Sequence, residues 1–305
     1  DEVVLAPPGT IPRTSSGKIR RAASRQVYEN QEIGRPQDPP WRQVLRVFLD
    51  ALGSRARHWR SAASAWLFAC YAWLASCLLV PVAWISAMVL PGVAARWRVL
   101  RLLARTLAAV TGIRIRVDGL ENLPEEPCVL CANHSSYLDG TVMVAALPRP
   151  IGFVAKAELA GSWVMRQLLE RIGTLFVHRF NMRAGQADHK AVQRAVADGR
   201  TPLYFPEGTL RRMPGLLPFH MGAFATAVET ESMVIPIAIR GTRSLLRDGS
   251  LFPRRSDIAI TICPPVAPDT AGTSWDKTVT LRDRVRAAIL EHCGEPDLER
   301  ERVEW

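Results

Sequence analysis

From Ile113 onward, short apolar runs alternate with longer stretches of helical period. The runs at 113–117, 127–132, 151–155, 174–178, 202–205, 233–239 and 257–262 predict strands. The stretches at 136–147, 157–171, 184–198, 219–230 and 276–292 predict helices. Alternation of this kind specifies an α/β fold, with a mostly parallel central sheet and flanking helices. Ahead of it the pattern differs. Val44, Val47, Phe48 and Ala51 recur at helical spacing within a basic stretch, 42–60. Residues 61–95 then run for 35 positions without one charged side chain. After Pro91-Gly92 a second arginine-rich helix is predicted to about Val110.

The uncharged segment exceeds the roughly 20 residues that a spanning helix needs. Trp66, Tyr71, Trp73 and Trp84 suit an interfacial position. Pro81 lies near the middle and is expected to kink or break a helix. One tilted span, or two shorter helices folded back at Pro81, both satisfy this pattern; so does a helix pair buried in a soluble core. Arg42, Arg46, Arg55, Arg57 and Arg60 precede the segment, and Arg96, Arg98, Arg101 and Arg105 follow it. Arginine on both flanks places both ends on the cytoplasmic face of the cell (inner) membrane, which favours the folded-back form.

The formal charge of +10 calls for an anionic partner. The arginines border an apolar segment and no stacking aromatics interleave with them, which favours an anionic membrane surface over nucleic acid. The six cysteines form no metal-ligand pattern. Cys128 and Cys131 make a lone CxxC, but inside a strand positions i and i+3 face opposite ways. All six read as reduced, apolar residues. Residues 35–41, RPQDPPW, read as a linker.

Candidate chemistry gathers at predicted strand ends. The stretch NHSSYLDG, 133–140, puts His134 where α/β proteins keep their sites, with Asp139 five residues on. Five is not a same-face helical spacing, so pairing requires a turn at Ser135 and Ser136. The alternative is a plain turn with a capping acid. FPEGT, 205–209, combines a proline-set turn, Gly208 for close backbone approach and Thr209 as a cap hydroxyl. Such a turn offers backbone amides to an anion, where Glu207 is out of place unless it binds a hydroxyl or anchors an arginine. Arg179, after the run 174–178, and Lys156, after 151–155, are candidate phosphate contacts or else solvated surface cations.

Taken in order, these stretches resemble the glycerolipid acyltransferase family, which includes the 1-acylglycerol-3-phosphate acyltransferases. NHSSYLD resembles its NHxxxxD block, GTLFVHR its Gly-x-x-Phe-x-x-Arg block, FPEGT its third block and VIPIAI, with Pro236, its fourth. The likeness spans roughly residues 97–270. It implies that His134 deprotonates an acceptor hydroxyl and that Asp139 orients His134. It further implies that Arg179, Glu207 and Gly208, with Thr209, hold a glycerol phosphate. The hydroxyl would attack an acyl-CoA or acyl carrier protein thioester directly, with no metal or bound cofactor. The expected acceptor is 1-acylglycerol-3-phosphate, giving phosphatidic acid. The alternatives are another lysolipid, such as lyso-ornithine lipid, and a non-catalytic membrane anchor. His178 departs from the acidic or polar residue common in the second block, and His220 and Met221 stand where lysines are common.

The run PRTSSGKIRR resembles the closing motif of the adenylate-forming ligases, including acyl-CoA synthetases and fatty acyl-AMP ligases, over about residues 3–28. The lysine matching Lys18 would contact carboxylate and phosphate there. The resemblance implies a ligase tail at 1–34, a linker at 35–41, membrane-associated helices at 42–110 and an acyltransferase domain at 111–305. It also implies a fused upstream acyl-activating ligase, with no adenylation by the tail alone.

Overall fold

The structure is a computed structural model that describes residues 3–6, 10–14, 17–30, 33, 40–178 and 182–300. The chain divides into two compact units, Asp1–Ala63 and Ser64–Trp305, with the boundary inside a helix. In the first unit, Arg13 and Ile19 pair across a tight antiparallel turn. Gly17 takes the positive φ of 82° that the turn requires, and its N–H donates to the Thr14 carbonyl at 2.8 Å. A short helix, α1 (Arg21–Glu29), follows.

Helix α2 (Pro40–Val89) runs unbroken through Pro81, so the expected fold-back at that residue is not observed. Proline removes one N–H from the ladder but does not force the chain to reverse. Here the helix is tied down on both sides of it. The Trp73 indole donates to the Leu251 carbonyl at 2.7 Å, and the Trp84 indole to the Val164 carbonyl at 3.1 Å. The chain turns instead at Leu90–Gly92, where Gly92 has φ 71°. Two arginines satisfy carbonyls that a helix end leaves unpaired. Arg171 donates to Met88 O (2.7 Å) and Arg96 to Leu90 O (2.8 Å). Helix α3 (Val93–Val110) then returns along α2, since the Tyr71 hydroxyl reaches the Val110 carbonyl at 3.1 Å.

Seven strands build one sheet: β1 (Ile115–Asp118), β2 (Val129–Ala132), β3 (Gly152–Lys156), β4 (Leu175–Val177), β5 (Pro202–Tyr204), β6 (Val234–Arg240) and β7 (Ile258–Ile262). Their order is β1-β7-β6-β2-β5-β3-β4. Five strands, β6 through β4, are parallel; β7 pairs antiparallel with β6, and β1 follows β7. All seven predicted strands are present within a few residues of their expected bounds. The stretch 157–171 resolves into a 3-10 turn (Ala157–Gly161) and helix α5 (Trp163–Arg171). The other helices are α4 (Asp139–Ala146), α6 (Met182–Ala197), α7 (Gly222–Glu229), α8 (Thr242–Leu245) and α9 (Ser274–Cys293). Thr273 and Asp276 form a reciprocal capping box at the start of α9.

The sheet is covered on both faces. Leu130 and Ala132 of β2 pack with Trp97 of α3 and Met143 of α4, while Val129 and Cys131 pack with Phe224 of α7 and Val285 of α9. A central strand buried on both sides needs a continuous apolar run, which is why VLCA shows no polar alternation. Cys128 and Cys131 fall in opposite cores, as strand alternation requires.

Candidate active site

The chain leaves β2 as Asn133-His134. The Asn133 amide acts like one more strand residue: its Nδ2 donates to Ile239 O (2.9 Å), and its Oδ1 accepts from Ile239 N (2.6 Å). This clasp to β6 fixes the point from which His134 projects. Residues 133–138 turn before α4 begins at Asp139. That turn brings the two candidate residues together, with His134 Nδ1 2.9 Å from Asp139 Oδ2. The same oxygen accepts from the backbone N–H of Ser135 (2.7 Å) and Ser136 (2.9 Å).

Three donors converge on one carboxylate oxygen of a fully buried aspartate. An anion held by backbone amides at a helix start is stable there. As a pure acceptor it places the imidazole proton on Nδ1, leaving the Nε2 lone pair available to take a proton. The His134 side chain is about a quarter exposed, at 23%. Its ring stacks on Phe205 at 4.3 Å, which limits ring rotation and shields one face from water. Hydroxyls complete the turn: Ser135 meets Thr242 at 3.2 Å, and Ser136 donates to Leu246 O at 2.8 Å. Helix α8 is thereby tied to the histidine turn.

Glu207 lies at the end of β5 and is 2% exposed. Its Oε1 accepts from His134 N (2.6 Å) and its Oε2 from Leu217 N (2.9 Å). Both oxygens are thus turned to the protein's own backbone, where the resemblance implies a contact with substrate. Burial pushes its carboxyl up to about 7, against the opposing pull of the two N–H groups and the Arg243 charge. Gly208 adopts φ 71° in the tight turn closed by its N–H to Phe205 O (3.0 Å). Thr209 is half-buried beside it. Lys156 ends β3, two strands from His134 on the same edge of the sheet. Arg179 lies outside the described residues. Its neighbour His178 is described, and Asp188 Oδ2 accepts both its N–H (2.6 Å) and its Nδ1 proton (2.9 Å). Lys18 is exposed in the first unit.

Three supporting residues escaped sequence reasoning. Asn133 and Phe205 open the stretches NHSSYLDG and FPEGT, so membership of those stretches was the available signal, though neither side chain was given a role. Arg286, on α9, is 4% exposed, donates to Leu216 O (2.9 Å) and pairs with Asp297 (2.7 Å). It fixes the loop that delivers Leu217 N–H to Glu207, a role visible only once α9 packs on the sheet. Among the described residues, no group of three or more His, Cys, Asp or Glu side chains could hold a metal ion.

A mostly parallel sheet with a part-exposed histidine held by a buried aspartate at its carboxyl edge defines an α/β enzyme whose site sits at strand ends. The profile of the family described as "Acyltransferase" matches residues 114–240, which carry β1 through β6 and α4 through α7, with His134, Asp139 and Glu207. The chain is 30% identical over 222 residues to the 1-acyl-sn-glycerol-3-phosphate acyltransferase alpha of Mus musculus, covering 68% of this chain and 76% of the relative. It is 34% identical over 175 residues to the lyso-ornithine lipid O-acyltransferase of Pseudomonas aeruginosa, covering 55% of this chain and 63% of that protein. The fold matches the crystal structure of the 1-acyl-sn-glycerophosphate acyltransferase of Thermotoga maritima. That match has a TM-score of 0.62 at 19% identity and covers 75% of this chain and 95% of the other. The chain belongs to the glycerolipid acyltransferase family and is an acyltransferase.

Proposed function

We propose that this enzyme moves a fatty acyl group from a thioester, acyl-CoA or acyl carrier protein, to the free hydroxyl of 1-acylglycerol-3-phosphate, giving phosphatidic acid. The observation that carries the reading is the His134–Asp139 pair, with Nδ1 engaged at 2.9 Å and Nε2 left to act. His134 Nε2 takes the proton of the acceptor hydroxyl as its oxygen forms a bond to the thioester carbonyl carbon. The tetrahedral adduct collapses, the carbon–sulfur bond breaks, and the thiolate leaves with the proton held by His134. General-base help of this kind contributes about 10²–10⁴-fold. Asp139 stabilises the imidazolium, and Glu207 acts as a positioning residue that fixes the backbone of His134. The acceptor phosphate is assigned to Gly208, Thr209 and Lys156 on the β5–β3 side of His134, and to Arg179 on the resemblance alone. No metal or bound cofactor takes part.

In this reading residues 111–305 form the catalytic domain, 42–110 attach it to the cytoplasmic face of the cell membrane, and 1–34 are the tail of an acyl-activating ligase joined by the linker 35–41. A stripe on α2 supports the attachment. Leu67, Tyr71, Leu74, Leu78, Val82, Ile85 and Val89 recur at helical spacing, and all are exposed. Trp163, Val164 and Leu251, also exposed, flank it through the Trp84 and Trp73 contacts.

The test is acyl transfer by purified protein in anionic lipid micelles, with lysophosphatidic acid offered alongside each thioester. Phosphatidic acid formed by wild type and lost in His134→Ala supports the reaction and the base. The likeness to a lyso-ornithine lipid enzyme, and His220 and Met221 in place of lysines, favour that lysolipid as the second acceptor to try. Turnover surviving His134→Ala would remove the histidine from the mechanism.

A further inference from the structure

A cavity of about 1010 Å³ in the second unit opens at the β6–β7–β1 side of the sheet. Arg114, Arg116, Arg212, Arg240, Arg243 and Arg247 line it, against the two carboxylates Asp257 and Glu295, a formal excess of four positive charges. Glu295 is already committed to Arg243 at 2.7 Å, in a pair that is almost buried. Asp257 lies 3.8 Å from Arg114, with both side chains mostly exposed. The side chains of Arg212, Arg240 and Arg247 have no hydrogen-bond or ion-pair partner among the described residues. Arg116 pairs with Asp118 at 2.9 Å, outside the lining. The three remaining cations, gathered in a concave wall without counter-charges, repel one another, an arrangement that an anionic ligand relieves.

The cavity is coupled to the histidine turn. Thr242 and Leu246, at either end of α8, bond to Ser135 and Ser136, while Arg243, Ser244 and Arg247 of the same segment face the cavity. Arg240 directly follows Ile239, which Asn133 clasps beside His134. His134 therefore stands between this cavity on one side and the proposed acceptor site on the other. A single lipid phosphate would engage only part of a cavity this size, and its concave form suits a discrete ligand better than a flat bilayer.

We propose that the cavity binds the nucleotide end of the thioester donor, the adenosine 3′-phosphate and pyrophosphate of coenzyme A. This inference rests on the acyltransfer reading for its ligand, but the cavity can be tested alone. The probe is adenosine 3′,5′-bisphosphate, titrated by calorimetry at low salt into the full chain and into the double variant Arg116→Ala/Arg247→Ala. Among the described residues neither arginine's side chain bonds to the main chain, and Arg116 pairs only with the exposed Asp118 side chain at 2.9 Å. Wild type is expected to bind, and the variant to bind about tenfold more weakly or worse. In turnover, KM for acyl-CoA should rise by a similar factor, while KM for lysophosphatidic acid moves less than about twofold.

The proposal is overturned if wild type does not bind the bisphosphate or if both proteins bind it equally. A KM change confined to lysophosphatidic acid would also overturn it, giving the cavity to the acceptor. An equal loss with acyl carrier protein thioester, which has no nucleotide, would assign it to an acidic carrier instead. Lost binding to anionic vesicles with bisphosphate binding intact would assign it to the membrane. If wild type transfers no acyl group at all, the catalytic reading fails, and the calorimetry still decides the cavity.

Discussion

Asp139 gathers three N–H donors on one oxygen, so small changes there act directly on the imidazole. In Asp139→Asn an amide replaces the carboxylate. If its NH₂ takes the place of Oδ2, it opposes the Ser135 and Ser136 amides; if its oxygen stays there, the stabilising charge is still gone. Steady-state acyl transfer is expected to fall about 10²-fold or more, approaching the loss in His134→Ala. Glu207 separates two roles that the same kinetics can tell apart. A carboxylate that touches substrate raises KM when lost, whereas one that holds the His134 backbone lowers kcat. Glu207→Gln is expected to reduce kcat about tenfold or more, with little change in KM for the lysolipid. The same residue predicts a pH effect. Its folded-state value, about 7, lies above its ordinary 4.5, so the folded protein keeps a proton that the unfolded chain releases. Stability from this group is fully present below 4.5 and is lost as pH rises to about 7. The stability of wild type relative to Glu207→Gln, measured by urea unfolding, should therefore decline over that window. A flat difference would mean that Glu207 ionises as freely when folded as when unfolded. The pairing of His134 with Asp139 was legible only in part. A spacing of five leaves the pair open until the turn at 133–138 is known, and that turn depends on Asn133 meeting β6, 106 residues away.

Elements were more legible than their connections. The central strands declared themselves because a sheet covered on both faces demands apolar runs bounded by polar turns, whereas the edge strand β1 shows the alternation of a half-exposed strand. The reversal of β7 and β1 did not, because a strand's apolar pattern is the same in either direction. Pro81 misled for a related reason. The local cost of a mid-helix proline, about 3 kcal/mol, is visible in sequence, but the tertiary bonds of Trp73 and Trp84 that hold the helix on either side are not. Glycine at a strand end gives a sharper test of how the elements dock. Gly119 follows β1 at φ 81°, and a Cβ there would sit 2.2 Å from the Ile262 carbonyl oxygen of β7. Backbone cannot yield as a side-chain tip would. Gly119→Ala is expected to destabilise the fold by at least about 2 kcal/mol, seen as a lower urea midpoint with an unchanged slope.

At the scale of the catalytic unit, the arginine-rich, sheet-edge chemistry and the apolar stripe of α2 answer different needs. A reaction between a lysolipid and a thioester requires a site that samples both the bilayer and the water phase. If the stripe from Leu67 to Val89 is the face that meets the bilayer, its leucines contribute by burial in lipid, and each buried leucine side chain is worth about 1.5–3 kcal/mol. Leu74 and Leu78 are 60% and 64% exposed, so replacing both with glutamate costs the folded protein little. The double variant Leu74→Glu/Leu78→Glu should keep its thermal unfolding curve and its turnover of a short-chain, water-soluble lysolipid. It should lose about 100-fold or more in partitioning onto anionic vesicles, with a matching fall in turnover of vesicle-borne substrate. Salt distinguishes this contribution from the arginines. Raising ionic strength screens the basic flanks but leaves the leucine contribution intact, so wild type should stay partly bound in salt while the variant does not. Vesicle binding unchanged by the two glutamates would mean that the stripe packs against protein rather than lipid, and the partner would then be sought on the same face.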